Sequence, residues 1–469
     1  MIPETDDMNS PEPIDLYPSV SEDILFDSGA QDPVFEEIYP RLKGFQLGST
    51  NSWTKGQPFD YYKRMREEAP VMWSTTRKPQ SGFWSVSRYD DIKHVELHPE
   101  IFSSQRGSMH MSVVKNETGK AERLMYAAHN SLINLDADIH RDLRTQQAAF
   151  FFPKYIETLK ERVGKKIDDL LDNMERQGPV VDFAKLFSTE LPMFTLCEML
   201  GVDEEDRPNI IKWMHYLELA PQFLTHPFRM FMAEPMFPFR FEQMLHDMFS
   251  YGERVMADRI KNPREDLLTT IANATLSGKP MSQDYLDGSW LLIIFAGNDT
   301  TRNSLSGAIR LLTEFPDQRE MVINDRSLVD RMSQEALRMV SPVMHMRRTA
   351  TEDTEVAGQR ISKDEKVIMW YGAANRDPSI FPNPDVMDLT RENVTKHVAF
   401  GHGVHRCLGN RVAQLQLQMA YEKILDRFPN IHWTGKQKIE PIILVHAISS
   451  LKVNLYGKNG KRPVMVATG

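Results

Sequence analysis

Ten residues near the C-terminus restrict this chain more than any other stretch: Phe400-Gly401-His402-Gly403-Val404-His405-Arg406-Cys407-Leu408-Gly409. They run straight into a segment where Val412, Leu415 and Met419 keep an i, i+3, i+7 face, and Pro429 stops the run. The spacing predicts a helix from Gly409 to Phe428, with Cys407 just ahead of its N-terminus. Unsatisfied amides at such a terminus carry partial positive charge and favour a thiolate. Gly401, Gly403 and Gly409 have no Cβ, so the backbone there can pass close to a flat, bulky group.

A thiolate held in this way is a good axial ligand for haem iron. Two other readings stand beside it: a buried structural cysteine, and a zinc site using His402, His405 and Cys407, which lacks a fourth ligand. Only two cysteines, Cys197 and Cys407, occur in 469 residues, so neither a disulfide scaffold nor a four-cysteine zinc site can be built. A reducing compartment follows.

From Phe59 onward helical spacing dominates, with helices predicted over Ile156–Arg176, Tyr285–Phe315 and Leu328–Met339. Strands are predicted over Gly82–Val86, within Met346–Trp370 and over Ile442–Val453. The fold class is therefore mainly α with a minor β part. No Lys or Arg precedes Arg41, whereas Glu4, Asp6, Asp7 and Glu12 open the chain, so residues 1–44 read as an acidic, partly disordered arm. Residues 45–469 read as a single domain. A net charge of -9 argues against a nucleic-acid partner. The longest apolar stretch, Trp290 to Gly297, falls far short of the roughly 20 residues that cross a bilayer. A soluble cytoplasmic protein without stable membrane insertion is expected.

The decapeptide resembles the haem-thiolate signature of cytochrome P450 monooxygenases, F-G-x-G-x-H-x-C-x-G, and matches every fixed position. The resemblance implies the cytochrome P450 fold and heme b (iron protoporphyrin IX), with Cys407 as the axial metal ligand. It further implies that His405 and the loop amides, Gly401 included, contact a propionate or tune the sulfur, and that Phe400 shields the thiolate. Glu335-Ala336-Leu337-Arg338 resembles the family's E-x-x-R, whose third member would be Arg391. Ala296-Gly297-Asn298-Asp299-Thr300-Thr301 resembles the motif beside the distal face. Ala296 would then abut the haem, Thr300 would hydrogen-bond activated oxygen, and Asp299 would relay protons. His140 and Arg144 match H-x-x-x-R, and Arg348 matches R-x-A; all three are expected at the propionates. Before His140 the family usually has D-P-P, where this chain has Asp136-Ala137-Asp138.

By the same resemblance, the wording of the motifs is similar to the soluble bacterial branch that hydroxylates alkanes and fatty acids at the chain terminus. Terpene and steroid side-chain hydroxylases are near relatives, and a non-catalytic haem-thiolate sensor or carrier is the alternative of a different class. Leu292, Phe295, Val343, Met344 and Ile448 are candidates to face the substrate, and the Met- and Phe-rich segment from Phe223 to Phe249 corresponds to the family's lid. With no room for a flavin or iron-sulfur module, O2 activation implies electrons from NAD(P)H through a separate ferredoxin and ferredoxin reductase. Arg141, Lys396 and Arg406 are candidates to dock the ferredoxin.

Overall fold

The computed structural model describes residues 42, 45–48, 50–75, 82–108, 122–225, 235–440 and 442–460. The acidic arm lies almost wholly outside them, as does the middle of the Met- and Phe-rich segment. In chain order the elements that build the site are β1 (Val71–Thr75), β2 (Gly82–Val86), α1 (Tyr89–Leu97), β3 (Phe102–Ser103), α2 (Ala137–Ala148), α3 (Pro153–Gln177), β4 (Val180–Asp182) and α4 (Glu190–Leu200). Then come α5 (Phe237–Lys261), α6 (Gln283–Ala296), α7 (Asp299–Glu314), α8 (Val329–Val340), β5 (His345–Ala350), β6 (Lys366–Trp370), α9 (Asn410–Arg427), β7 (His432–Glu440) and β8 (Ala447–Asn454). No helix among the described residues is long and apolar enough to cross a membrane.

Helices dominate because long segments place apolar residues on one face. In α3, Ile156, Leu159, Val163, Ile167, Leu170 and Met174 are all buried, which is the i, i+3, i+4 stripe that a helix must cover against a neighbour. The strands gather into a five-stranded sheet of order β1-β2-β6-β5-β3, with β6 parallel to β2 and the other pairs antiparallel. A separate antiparallel sheet has the order β7-β8-β4. The predicted strand at Gly82–Val86 and the two flanks of Met346–Trp370 are present. Of the stretch from Ile442 to Val453, only the part from Ala447 is strand.

The helix predicted over Tyr285–Phe315 is interrupted. It divides into α6 and α7 at Gly297 and Asn298, where Asn298 takes φ -100° and ψ -62°. Side chains on the far side bond back to carbonyls one turn earlier: Thr300 Oγ1 to Ala296 O at 3.3 Å, Asn303 Nδ2 to Asp299 O at 2.7 Å and Ser304 Oγ to Thr300 O at 2.8 Å. Such back-bonding competes with the regular ladder and opens it locally. Gly297 also admits Leu196, whose Cδ1 would lie 3.3 Å from a Cβ placed there.

Behind this helix, α8 carries Glu335 and Arg338, both fully buried. Arg338 donates to Glu335 from Nη2 at 2.7 Å and from Nε at 2.8 Å, and Arg391 Nε adds a third bond at 3.2 Å. The remaining Arg338 donors reach the carbonyls of Asn375 and Pro384 at 2.8 and 2.7 Å. Both guanidinium groups share the one carboxylate, and backbone carbonyls accept their remaining hydrogen bonds, the kind of satisfaction a buried ion network needs.

Candidate active site

Gly401 and Gly403 of the cysteine loop are required by geometry, whereas Gly409, at φ -80°, has room for a Cβ. Gly401 and Gly403 have φ of +69° and +64°, and a Cβ on Gly403 would lie 2.3 Å from the carbonyl oxygen of Glu96. The loop closes through Cys407 N–H to Phe400 O at 2.8 Å, and Arg144 Nη2 pins it from α2 by donating to Arg406 O at 2.5 Å. Asn410 Nδ2 donates to Cys407 O at 2.6 Å. The sulfur therefore stands three residues ahead of α9, as expected.

Cys407 is exposed by surface area, and it lines a cavity. Burial raises the thiol above its ordinary value, outweighing the Gly409 amide and the charges of Arg144 and Arg406. Without a cation the thiol form wins; a metal ion would reverse this by displacing the proton.

The cavity, about 290 Å³, runs from the cysteine loop to the α6–α7 junction. Its wall includes Cys407, Phe400, Gly401 and His405 from the loop, and Leu292, Phe295, Ala296, Asp299 and Thr300 from the junction. His140, Arg144, Arg348 and Val343 complete the predicted set that meets there. Two predicted residues do not. Met344 is 1% exposed and packs with Trp53 and Trp370 on the other side of the chain, because extended backbone alternates its side chains and Val343, bridged to Val445, takes the cavity side. Ile448 is fully buried in the main core, and its N–H donates to Asn303 Oδ1 at 2.6 Å. Leu444 and Val445 line the cavity instead.

Around the loop the polar groups are interlocked. His140 and His405 lie ring to ring at 4.3 Å. Ser104 Oγ is 3.1 Å from His405 Nε2, and Asp136 Oδ1 is 3.6 Å from it. Asp136, which opens the Asp136-Ala137-Asp138 segment, ties α2 to β3 and the chain after it by accepting from Ser103 Oγ at 2.5 Å and from the amides of Ser104 and Gln105. Burial works against this carboxylate, but the bonds from His405, Ser103 and those amides hold it below its usual range. Burial, with the charges of His405 and Arg144, pushes His140 down to about 3, so without a ligand it is a neutral donor rather than a cation.

Asp299, expected as a proton relay, is 8% exposed, and Arg302 Nη2 lies 2.8 Å from its Oδ1. Thr300 faces the cavity, yet its hydroxyl donates back to Ala296 O. His402, His405 and Cys407 do not converge: no group of three His, Cys, Asp or Glu suited to a metal ion occurs among the described residues. That removes the zinc alternative.

The residue types present fit iron protoporphyrin IX. The cavity is bounded by a cysteine sulfur on one wall and an apolar helix on the other. Its loop end gathers Arg144, Arg348, His140 and His405, donors of the kind that buried carboxylates require. The Nε2 of His140 is buried without a partner among the described residues, and an acceptor in the cavity would satisfy it. Sequence reasoning missed Glu96, Tyr371, Leu196, Met199 and Met346, which also line the cavity. Met346 was recoverable, since it shares a strand face with Arg348.

The family model for cytochrome P450 matches residues 42–447. The chain is 32% identical over 415 residues to linalool 8-monooxygenase of Pseudomonas putida, which covers 88% of this chain and 99% of that protein. It is 29% identical over 424 residues to the methyl-branched lipid omega-hydroxylase of Mycobacterium tuberculosis, covering 88% and 95%. A solved cytochrome P450 of Mycobacterium marinum in complex with pseudoionone superposes with TM-score 0.77 at 29% identity, covering 88% of this chain and 99% of that one.

Proposed function

The chain belongs to the cytochrome P450 family, and from that premise we propose that it hydroxylates an unactivated C–H bond in an apolar aliphatic molecule, a medium- or long-chain alkane or fatty acid. It is a haem-thiolate monooxygenase. Cys407 would hold the iron, Phe400 and Gly401 would lie against the sulfur side, Ala296 against the other face, and His140, Arg144, Arg348 and His405 would take the carboxylates. When bound, the haem supplies reductive activation of O2 and insertion of one oxygen atom into the substrate.

The chain's own residues set where that happens and manage the protons. Leu292, Phe295, Leu196, Met199 and Val343 present hydrocarbon to the cavity, which excludes water and orients an aliphatic chain by contact alone. Thr300 Oγ1 carries a proton on that wall, and its 3.3 Å bond to Ala296 O is long enough to be exchanged for a better acceptor in the cavity. Asp299, one residue earlier and paired with Arg302, would return a proton to that hydroxyl. The observation that carries the reading is this acid and hydroxyl beside an apolar wall.

A second reading, a terpene substrate, is favoured by the 32% identity to an enzyme named for linalool. Electrons would come from NAD(P)H through a ferredoxin reductase and a ferredoxin. Arg141, Lys396 and Arg406 are exposed, and Arg141 spends part of its charge on Asp138 at 2.7 Å. The test is a spectral binding titration with alkanes, fatty acids, terpenes and steroids, followed by product analysis with a reconstituted ferredoxin system. End-hydroxylated alkane or fatty acid supports the first reading, and a terpene product alone supports the second. NAD(P)H consumption that yields no hydroxylated product from any of the four classes would overturn both.

A further inference from the structure

Glu96 is a carboxylic acid where the helix pattern asks for an apolar residue. Tyr89, Ile92 and Glu96 fall at i, i+3, i+7 on the buried face of α1, and Glu96 is 3% exposed. Its Oε1 accepts from Tyr371 Oη at 2.6 Å, whereas Oε2 is buried with no partner among the described residues. The residue lines the cavity beside Gly401, where a Cβ would lie 3.2 Å from Oε1. The groups that face it are Arg348 from β5, Tyr371 from the turn after β6, the backbone of His402 in the cysteine loop and Tyr89 from its own helix. Burial outweighs the attraction of Arg348 and the hydrogen bonds of Tyr371 and His402, lifting the carboxyl to about 7.

An unmatched buried oxygen is costly to leave alone, and the haem this cavity suits brings carboxylates to the same cations. Two carboxylates cannot both ionise cheaply at one buried cation. We infer that Glu96 keeps a proton on Oε2 and donates it in a hydrogen bond to a carboxylate of the bound haem, next to Arg348. This rests on the haem-binding reading above. It gives the orphan oxygen a partner, turns a repulsion into a charge-assisted hydrogen bond, and makes Glu96 a cofactor-binding residue on α1.

The experiment uses the haem-loaded full chain as wild type, E96Q and E96L, with two readouts independent of turnover. The first is the rate of haem transfer to excess apomyoglobin. E96L is expected to release haem about tenfold faster, the equivalent of one hydrogen bond to a charged group. E96Q keeps an N–H donor at that place and is expected to stay near the wild-type rate. The second is the infrared C=O band of a neutral carboxyl at pH 7, present in the wild type and lost in E96Q. Wild-type retention by E96L, or no such band, overturns the inference; should E96L not fold, the band and E96Q decide. Absence of the thiolate-type carbon monoxide spectrum from the wild type itself would instead overturn the haem reading.

Discussion

Arg302 lies one turn along α7 from Asp299, and its Nη2 stands 2.8 Å from Asp299 Oδ1. The acid beside the cavity is therefore held in place by its own helix. Replacing it by an isosteric amide removes the proton carrier and leaves the shape. Asp299→Asn is expected to lower product formation about a hundredfold, the usual scale of a lost general acid, with substrate affinity little changed. Steady-state product assays beside spectral titrations check this, and unaltered turnover would free Asp299 from the mechanism.

Thr300 has a hydroxyl on the cavity wall with a long bond to Ala296 O. Thr300→Ala is expected to keep NAD(P)H consumption while diverting most of the electrons to peroxide. The readout is product formed and peroxide released per NAD(P)H oxidised; a ratio equal to wild type would remove Thr300 from proton delivery.

Glu335 is the one carboxylate shared by Arg338 and Arg391, and it is fully buried. Glu335→Ala strands both guanidinium groups, so a loss of roughly 3–5 kcal/mol is expected. Urea denaturation of the holoprotein measures it, and a loss below about 1 kcal/mol, the scale of a surface pair, would show that the network relaxes.

Gly403 sits at φ +64° with no space for a methyl group against Glu96 O. Gly403→Ala is expected to distort the loop that carries Cys407. The carbon monoxide complex should then lose the thiolate-type band in part or whole, whereas a normal spectrum at normal haem content would show that α1 can yield.

His397 and His446 are both buried, and burial together with neighbouring arginines depresses each to about 3. The folded chain thus refuses protons that the unfolded chain accepts below about 6.5. Their effect is absent above that pH and grows as pH falls toward 3, so stability declines on the acid side. The expected loss is roughly 2 kcal/mol per histidine by pH 5, read from urea midpoints at pH 7 and pH 5. A His446→Gln variant should show a shallower decline, and equal slopes would contradict the assignment.

Local sequence determined much of this protein. The glycine pattern of the cysteine loop, the E-x-x-R pair and the polar interruption of an apolar helix are each written within a few residues, because loop conformation, i, i+3 pairing and helix back-bonding act at short range. Those segments behaved as their patterns demanded, apart from the degree to which Gly297 and Asn298 divide the helix. What only the tertiary structure decided was direction and environment. Met344 and Val343 are neighbours in sequence, and one bridge to Val445 sent them to opposite sides. Cys407 has the amides of a helix start, yet the protein packed around it pushes the metal-free thiol upward. Glu96 reads as one more acid in a charged helix until α1 is docked on the cysteine loop. Burial is a property of the whole fold, and desolvation grows with everything packed around a group, so no short window of residues can contain it.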